Sequence, residues 1–236
     1  ARIRQLGGVL EMMRAIVGAC LLLSTACSSG GSNGQLWKLA SEQLRDGRAG
    51  ANQQVSKAEI SRAQIDALDL AIIRIEAPDQ KLRTLALANR ARGNRVSYLT
   101  PSKRQITLKG GLVVATQGFG FDLLPMQVES NDPIAFPLPP NRWPEAISRT
   151  YFTPGRGPDG QSWNVRCNYS AGDTVRITLA ELSYQTRQMI ETCEGGGAGF
   201  RNLYFVDERT GLAWQSRQWA GPDQGYLNVE VLEPLD

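Results

Sequence analysis

The chain has 236 residues, 42% of them hydrophobic, with 26 basic and 23 acidic side chains and no histidine. That length and apolar content are enough for a real core in one domain or two small ones, and exclude a disordered chain. Without histidine, Ser–His and Cys–His nucleophilic catalysis are excluded, and without a CxxC spacing no good metal-ligand set remains.

In chain order, the first element is a leader. Arg14 supplies a positive charge, Ala15 to Leu23 form a short apolar run, and Ser24-Thr25-Ala26 place small side chains before Cys27. This is the layout of a secretory signal peptide, and the run is too short to span a bilayer. A cysteine directly after the small residues predicts a lipoprotein acylated at Cys27. Cys20 is a competing site, but Leu21-Leu22-Leu23 continue the apolar run past it. Residues 1–26 are therefore read as signal peptide with an upstream extension, residues 27–34 as a lipidated tether rich in Ser and Gly, and residues 35–236 as a single β-rich domain. Ser28 in place of aspartate after the acylated cysteine directs such a protein to the outer membrane of a diderm bacterium. Removing Arg2, Arg4, Arg14 and Glu11 with the leader leaves 23 basic and 22 acidic side chains, so the charge gives no argument for nucleic acid.

Leu36, Ala40 and Leu44 recur at helical spacing and predict an amphipathic helix over residues 35–45. Ser61-Arg62-Ala63-Gln64 has the spacing of a capping box opening a short second helix through Leu68. From Leu70 onward the pattern changes to short β-branched or aromatic runs between turn residues. Strands are predicted over residues 70–76, 82–89, 95–100, 105–109 and 112–116, with Gly110-Gly111 as a tight hairpin. Residues 131–144 hold five prolines and predict an extended connection between two β halves. Further strands are predicted over 146–152, 162–169, 174–179, 183–193, 201–206, 212–219 and 226–232. Turns are placed at 155–160, at Ala171-Gly172 and at 208–211. In the last strand Leu227, Val229 and Val231 alternate with polar neighbours, so one face is buried. The two cysteines of the body, Cys167 and Cys193, sit in an exported chain where disulfides persist, which favours pairing; two buried free thiols are the alternative.

Three stretches carry a resemblance: Lys109 to Leu124, the Cys167 and Cys193 pair, and Phe200 to Pro234 with Tyr204 to Gly211 and Trp214 to Pro222. From about Ser61 to Pro234 the chain resembles the YjbF/GfcB family of group 4 capsule and exopolysaccharide lipoproteins. It departs from the family pattern in carrying Gln117 and Phe119 where an arginine and a leucine are expected. The resemblance implies a β-rich outer-membrane lipoprotein, lipid-anchored and periplasm-facing, acting beside exopolysaccharide export proteins, with no enzymatic activity and no cofactor.

Gly118-Phe119-Gly120 lacks the third glycine and following helix of a dinucleotide fingerprint. Its glycines instead permit a bend, with Phe119 and Phe121 pointing opposite ways. Trp214, Arg217 and Trp219, with Asp122, are the candidate glycan or partner contacts. Arg217 and Trp219 lie two apart on one strand, where an indole beside a guanidinium suits a sugar ring; ordinary sheet packing explains the same residues. Asp122, Asp132, Asp207 and Glu208 are the carboxylates a polysaccharide-modifying enzyme would need in a pair. The expectation is a mainly antiparallel β fold, barrel-like or sandwich, with one or two short N-terminal helices, binding glycan or an export partner. The rivals are that enzyme and a structural assembly factor for an outer-membrane β-barrel.

Overall fold

The computed structural model describes residues 60–155 and 160–235. The leader, Cys20, Cys27, the tether and the helix expected over 35–45 lie outside the described residues.

Ser61 Oγ accepts from the Gln64 N–H at 3.3 Å, and Gln64 Oε1 accepts from the Ser61 N–H at 3.0 Å. This reciprocal capping box satisfies two donors that helix geometry leaves open and starts helix α1 (Arg62–Leu68). The helix stops at Asp69, which takes a left-handed φ of 48°. Arg62 then docks the helix on the end of the sheet, donating to the Leu232 carbonyl at 3.2 Å and pairing with Glu233.

Apart from two short 3₁₀ turns, the remaining regular structure among the described residues is antiparallel strand: β1 (Ile72–Ala77), β2 (Leu82–Arg92), β3 (Arg95–Leu99), β4 (Gln105–Lys109), β5 (Leu112–Gln117), β6 (Leu124–Val128), β7 (Ala146–Thr153), β8 (Gln161–Leu179), β9 (Leu182–Gly195), β10 (Ala198–Asp207), β11 (Ala213–Trp219) and β12 (Tyr226–Glu233). They form a single 12-stranded sheet in the order β5-β4-β3-β2-β1-β12-β11-β10-β9-β8-β7-β6. Strands consecutive in the chain make every neighbour contact except β1 against β12, which joins the two halves through pairs such as Ile75 with Val229. The sheet curls into a nearly closed barrel. At the seam the Thr116 N–H donates to the Leu123 carbonyl at 2.9 Å, tying the end of β5 to the start of β6.

The barrel is filled, because its inward positions carry large apolar side chains. Ile73, Ile75, Ile106, Val114, Tyr204, Val206 and Leu227 are each fully buried and belong to one contiguous cluster. Gln218 of β11 reaches across this core, accepting from the Val113 N–H at 2.9 Å and donating to the Gly111 carbonyl at 2.8 Å. Those bonds satisfy a buried amide and pin the β4–β5 hairpin to the opposite wall.

Two expectations need correction. Ala171-Gly172 is not a turn: β8 runs straight through it, with a bulge between the Ala171–Met189 and Thr174–Arg187 pairs. Glycine inside a strand marks a bulge as readily as a turn, and here the pairing continues on both sides. The proline-rich connection is not extended either. It folds back through the Phe136 N–H to Asp132 carbonyl bond at 2.9 Å and a 3₁₀ turn over Pro140–Arg142. Residues 132–135 are buried, and the Ile134 and Ala135 carbonyls accept from Gly111 and Asn94. Strand β6 was missed because Pro125 interrupts a short run, a pattern tolerated on a strand paired on one side only.

Candidate functional site

The second β half and the proline-rich connection meet at a buried ionic cluster. Arg149, Asp132 and Glu191 all have side chains with 0% exposure. Arg149 is an inward residue of β7 between Ile147 and Tyr151, and Glu191 is an inward residue of β9 between Met189 and Cys193. Asp132 comes from the proline-rich connection. The guanidinium donates through Nε to Asp132 Oδ2 at 2.7 Å, through Nη1 to Glu191 Oε2 at 2.9 Å and through Nη2 to the Tyr169 hydroxyl at 3.2 Å. Asp132 Oδ1 also accepts the Ile134 and Ala135 N–H groups at 3.0 Å each. Glu191 Oε2 takes further bonds from Asn202 Nδ2 at 2.7 Å and the Tyr204 hydroxyl at 3.1 Å.

The electrostatics follow from burial and this single cation. Burial alone would raise the Asp132 carboxyl, but the Arg149 charge, its hydrogen bonds and the two backbone N–H groups outweigh it and hold the pKa below the ordinary value. Burial raises the hydroxyls of Tyr169 and Tyr204 well above the usual phenol range. Tyr151, also buried, is pushed up to about 12. The phenols therefore stay protonated, so that Tyr204 can donate to Glu191 while the Tyr169 oxygen accepts from Arg149. Such a cluster clamps the connection onto β7 and β9, and its full enclosure leaves no route for a substrate. Sequence reading places Asp132 only among the candidate carboxylates of an enzyme and overlooks Arg149, Glu191 and Asn202. The available signal was charge at inward positions of alternating strands.

Cys167 and Cys193 sit directly opposite each other on β8 and β9 and form a disulfide, with Cα atoms 4.0 Å apart. Ligand atoms of Cys167, Glu191 and Cys193 lie within 4.8 Å of one another. Both sulfurs are consumed by the disulfide and the carboxylate by Arg149, so this group does not fit a metal.

The predicted contact residues are dispersed. Arg217 is exposed, its guanidinium carbon 3.4 Å over the Tyr226 ring. Trp219 is half-buried and turned into the end of the core, stacked on Phe200 at 4.3 Å and edge-on to Tyr151 at 5.2 Å. Its N–H donates to Asn202 Oδ1 at 2.7 Å. Trp214 stacks on Tyr184 at 3.9 Å. Each indole thus has one face already covered, and Trp219 and Arg217 do not make a joint platform. Asp122 organises its own loop, accepting from Gly118 N–H at 2.8 Å, Phe119 N–H at 2.9 Å and Thr116 Oγ1 at 3.1 Å. That loop needs φ of 85° and 101° at Gly118 and Gly120, which glycine adopts freely. Phe119 is buried and Phe121 is 44% exposed, so the two do point apart.

The other candidate carboxylates are engaged as well. Asp207 Oδ1 accepts the Arg209 and Thr210 N–H groups at 2.9 and 2.7 Å, and Glu208 pairs with Arg187 at 3.0 Å. A cleft beside α1 brings Asp66, Asp69 and Glu233 together. There Arg62 lies 2.6 Å from Asp66 and also pairs with Glu233.

Comparison with known proteins agrees with this architecture. No curated protein matches the chain. Among solved structures, the hypothetical lipoprotein YmcC from Escherichia coli (K12) is similar in fold, with a TM-score of 0.66 at 16% identity, over 79% of this chain and 100% of that one. The profile of the family described as group 4 capsule polysaccharide lipoprotein gfcB, YjbF matches residues 42–232. With that span matched, the chain belongs to the YjbF family of group 4 capsule polysaccharide lipoproteins.

Proposed function

We propose that the protein is a lipid-anchored, periplasm-facing component of the outer membrane, held there through Cys27, that acts non-enzymatically in capsule polysaccharide secretion by binding. The observation that carries this reading is the state of its interior. The barrel is packed and crossed by Gln218, and its enclosed carboxylates are matched to Arg149. A filled barrel conducts nothing, and carboxylates committed to one buried guanidinium are poor general acids and bases. The working parts then belong to the outer surface, with glycan as the ligand favoured by the family description. Arg217 on Tyr226 and the Trp214–Tyr184 stack remain candidate outer contacts in this reading, and Trp219 supports them from the core.

A second reading, docking of an export partner, is favoured by the seam. Among the described residues strand β6 is paired only to β7, and Phe121, just before it, and Leu124 within it are 44% and 40% exposed. An edge strand with apolar side chains is a template for another chain's strand.

Co-purification of the lipidated protein from its own membranes tests both. Capsule glycan that stays bound after stringent washing supports the first reading. Recovery of an export protein with no glycan supports the second and overturns the first.

A further inference from the structure

Three adjacent strands carry a row of positive charge with no ion-paired carboxylate among the described residues. In register, Arg92 of β2 lies opposite Arg95 of β3, and Arg95 lies opposite Lys109 of β4. One step along, Arg90, Ser97 and Thr107 are opposed in the same way. Directly opposed residues of antiparallel strands share a face. The six side chains therefore make a two-by-three grid of four cations and two hydroxyls, the hydroxyls 3.0 Å apart. Arg90 and Arg92 are exposed, and Arg95 and Lys109 half-buried. Among the described residues, none of the four pairs with a carboxylate, while Arg62, Arg74, Arg83, Arg149 and Arg187 all do. Lys109 instead sits 3.8 Å from the centre of the Phe136 ring. Burial first, and the neighbouring Arg95 charge second, lower its pKa, with the Asp132 charge only partly offsetting them.

Like charges placed directly opposite one another destabilise a sheet, so three in a row with no carboxylate paired to any of them, and only the Asp132 charge acting on Lys109, is a cost that a bound anion would reduce. We propose that the Arg90, Arg92, Arg95 and Lys109 face binds the anionic groups of an acidic polysaccharide. This rests on the glycan-binding reading above and gives it a site and a substrate class. Strands are spaced about 4.8 Å apart, so the row spans roughly the reach of two linked sugar rings. Guanidinium forks match carboxylate and phosphate oxygens in pairs, and Ser97, Thr107 and the Phe136 ring supply the hydroxyl and apolar contacts that a sugar uses. A membrane surface is the weaker fit. Surface binding to lipid combines basic with apolar side chains, yet the β2–β3 tip offers only Ala91, Gly93 and Asn94, and the large exposed apolar residues Phe121, Leu124, Leu182 and Leu235 lie on other segments.

The test is retention of the full lipidated protein, in detergent, on polygalacturonate beads and on neutral dextran beads, alongside R92Q/R95Q and K109Q variants. The proposal predicts retention on polygalacturonate alone, weakening with added salt, and an affinity at least tenfold lower in R92Q/R95Q. Because the substitutions relieve repulsion, the thermal midpoint of the double variant should be equal to or above that of the parent, which separates lost binding from lost folding. Equal retention of parent and double variant overturns the site. Preference for phosphatidylglycerol over phosphatidylcholine vesicles, with no retention on polygalacturonate, overturns it in favour of a membrane-facing patch. If R92Q/R95Q still co-purifies with capsule glycan from its own membranes, the grid fails while the glycan reading stands. If the parent brings down no glycan there, that reading fails and takes the grid with it.

Discussion

Replacing Arg149 with methionine should be the most damaging single change in the described core. Methionine fills much of the volume but leaves Asp132 and Glu191, both with 0% exposed side chains, facing each other without a cation. Removing one partner of a buried ion pair costs about 3–5 kcal/mol, because the remaining charge is left uncompensated. Here two carboxylates are orphaned, which places R149M at the upper end, a large fraction of the roughly 5–15 kcal/mol that a domain has in total. With a urea m-value of about 2 kcal/mol/M, the midpoint should fall by about 2 M. The assay is urea unfolding followed by fluorescence of Trp163 and Trp219, whose rings lie 6.0 Å apart beside Tyr151. The loss should also depend on pH. In the parent, the Asp132 pKa is lowered on folding, so its contribution is present above the unfolded value and is lost as pH falls through the folded one. In R149M the lowering charge is gone and burial dominates, so the folded pKa lies above the unfolded one, and the variant regains stability as pH falls through it. The gap between the two proteins must therefore narrow on acidification. R149M unfolding at the parent midpoint, or a gap that stays constant from neutral to acid pH, would refute this reasoning. A R149M/E191Q/D132N variant, which keeps acceptors for Ile134, Ala135, Asn202 and Tyr204, should recover most of the loss.

Three further changes probe other supports. Cys167→Ala with Cys193→Ala opens a link with a sequence separation of 26, and the chain-entropy relation predicts a loss of about 3–4 kcal/mol, read as a lower urea midpoint that reductant no longer shifts. Asp122→Ala removes the acceptor of two backbone N–H groups and the Thr116 hydroxyl; about 1–3 kcal/mol should be lost, with hydrogen exchange rising at Gly118 and Phe119, and unchanged exchange would contradict the loop assignment. Gly211→Ala should cost more than about 1 kcal/mol in thermal unfolding, since a Cβ there meets the Leu138 backbone and φ is 79°; a neutral substitution would mean that the β10–β11 turn is not fixed against the connection.

Local chemistry was readable and long-range chemistry was not. The Ser61–Gln64 box, the Gly110-Gly111 hairpin and the alternation of Leu227, Val229 and Val231 each express their structure within a few residues, and each matches what is observed. The bulge at Gly172 was misread because glycine serves turns and bulges alike, and only the continued pairing of β8 with β9 decides between them. Strand β6 has too few residues, and a proline, to announce itself. The ionic cluster joins residues 17 and 42 positions apart in sequence, so nothing local marks Asp132 as the partner of Arg149. The packing of Trp219 is hidden from the sequence for a related reason. Strict alternation put it beside Arg217, whereas the end of β11 turns its indole onto Phe200 and Tyr151. The basic row is legible only once β2, β3 and β4 are set in register, since Arg92, Arg95 and Lys109 look like ordinary solvated charge along the chain.

Whether the protein binds capsule polysaccharide without altering it is measured most directly by light scattering coupled to size-exclusion chromatography of the purified polysaccharide, before and after prolonged incubation with the protein. Binding without catalysis should give protein co-eluting with polymer of unchanged mass. A progressive fall in polymer mass, or polymer eluting free of protein, would overturn the proposed function.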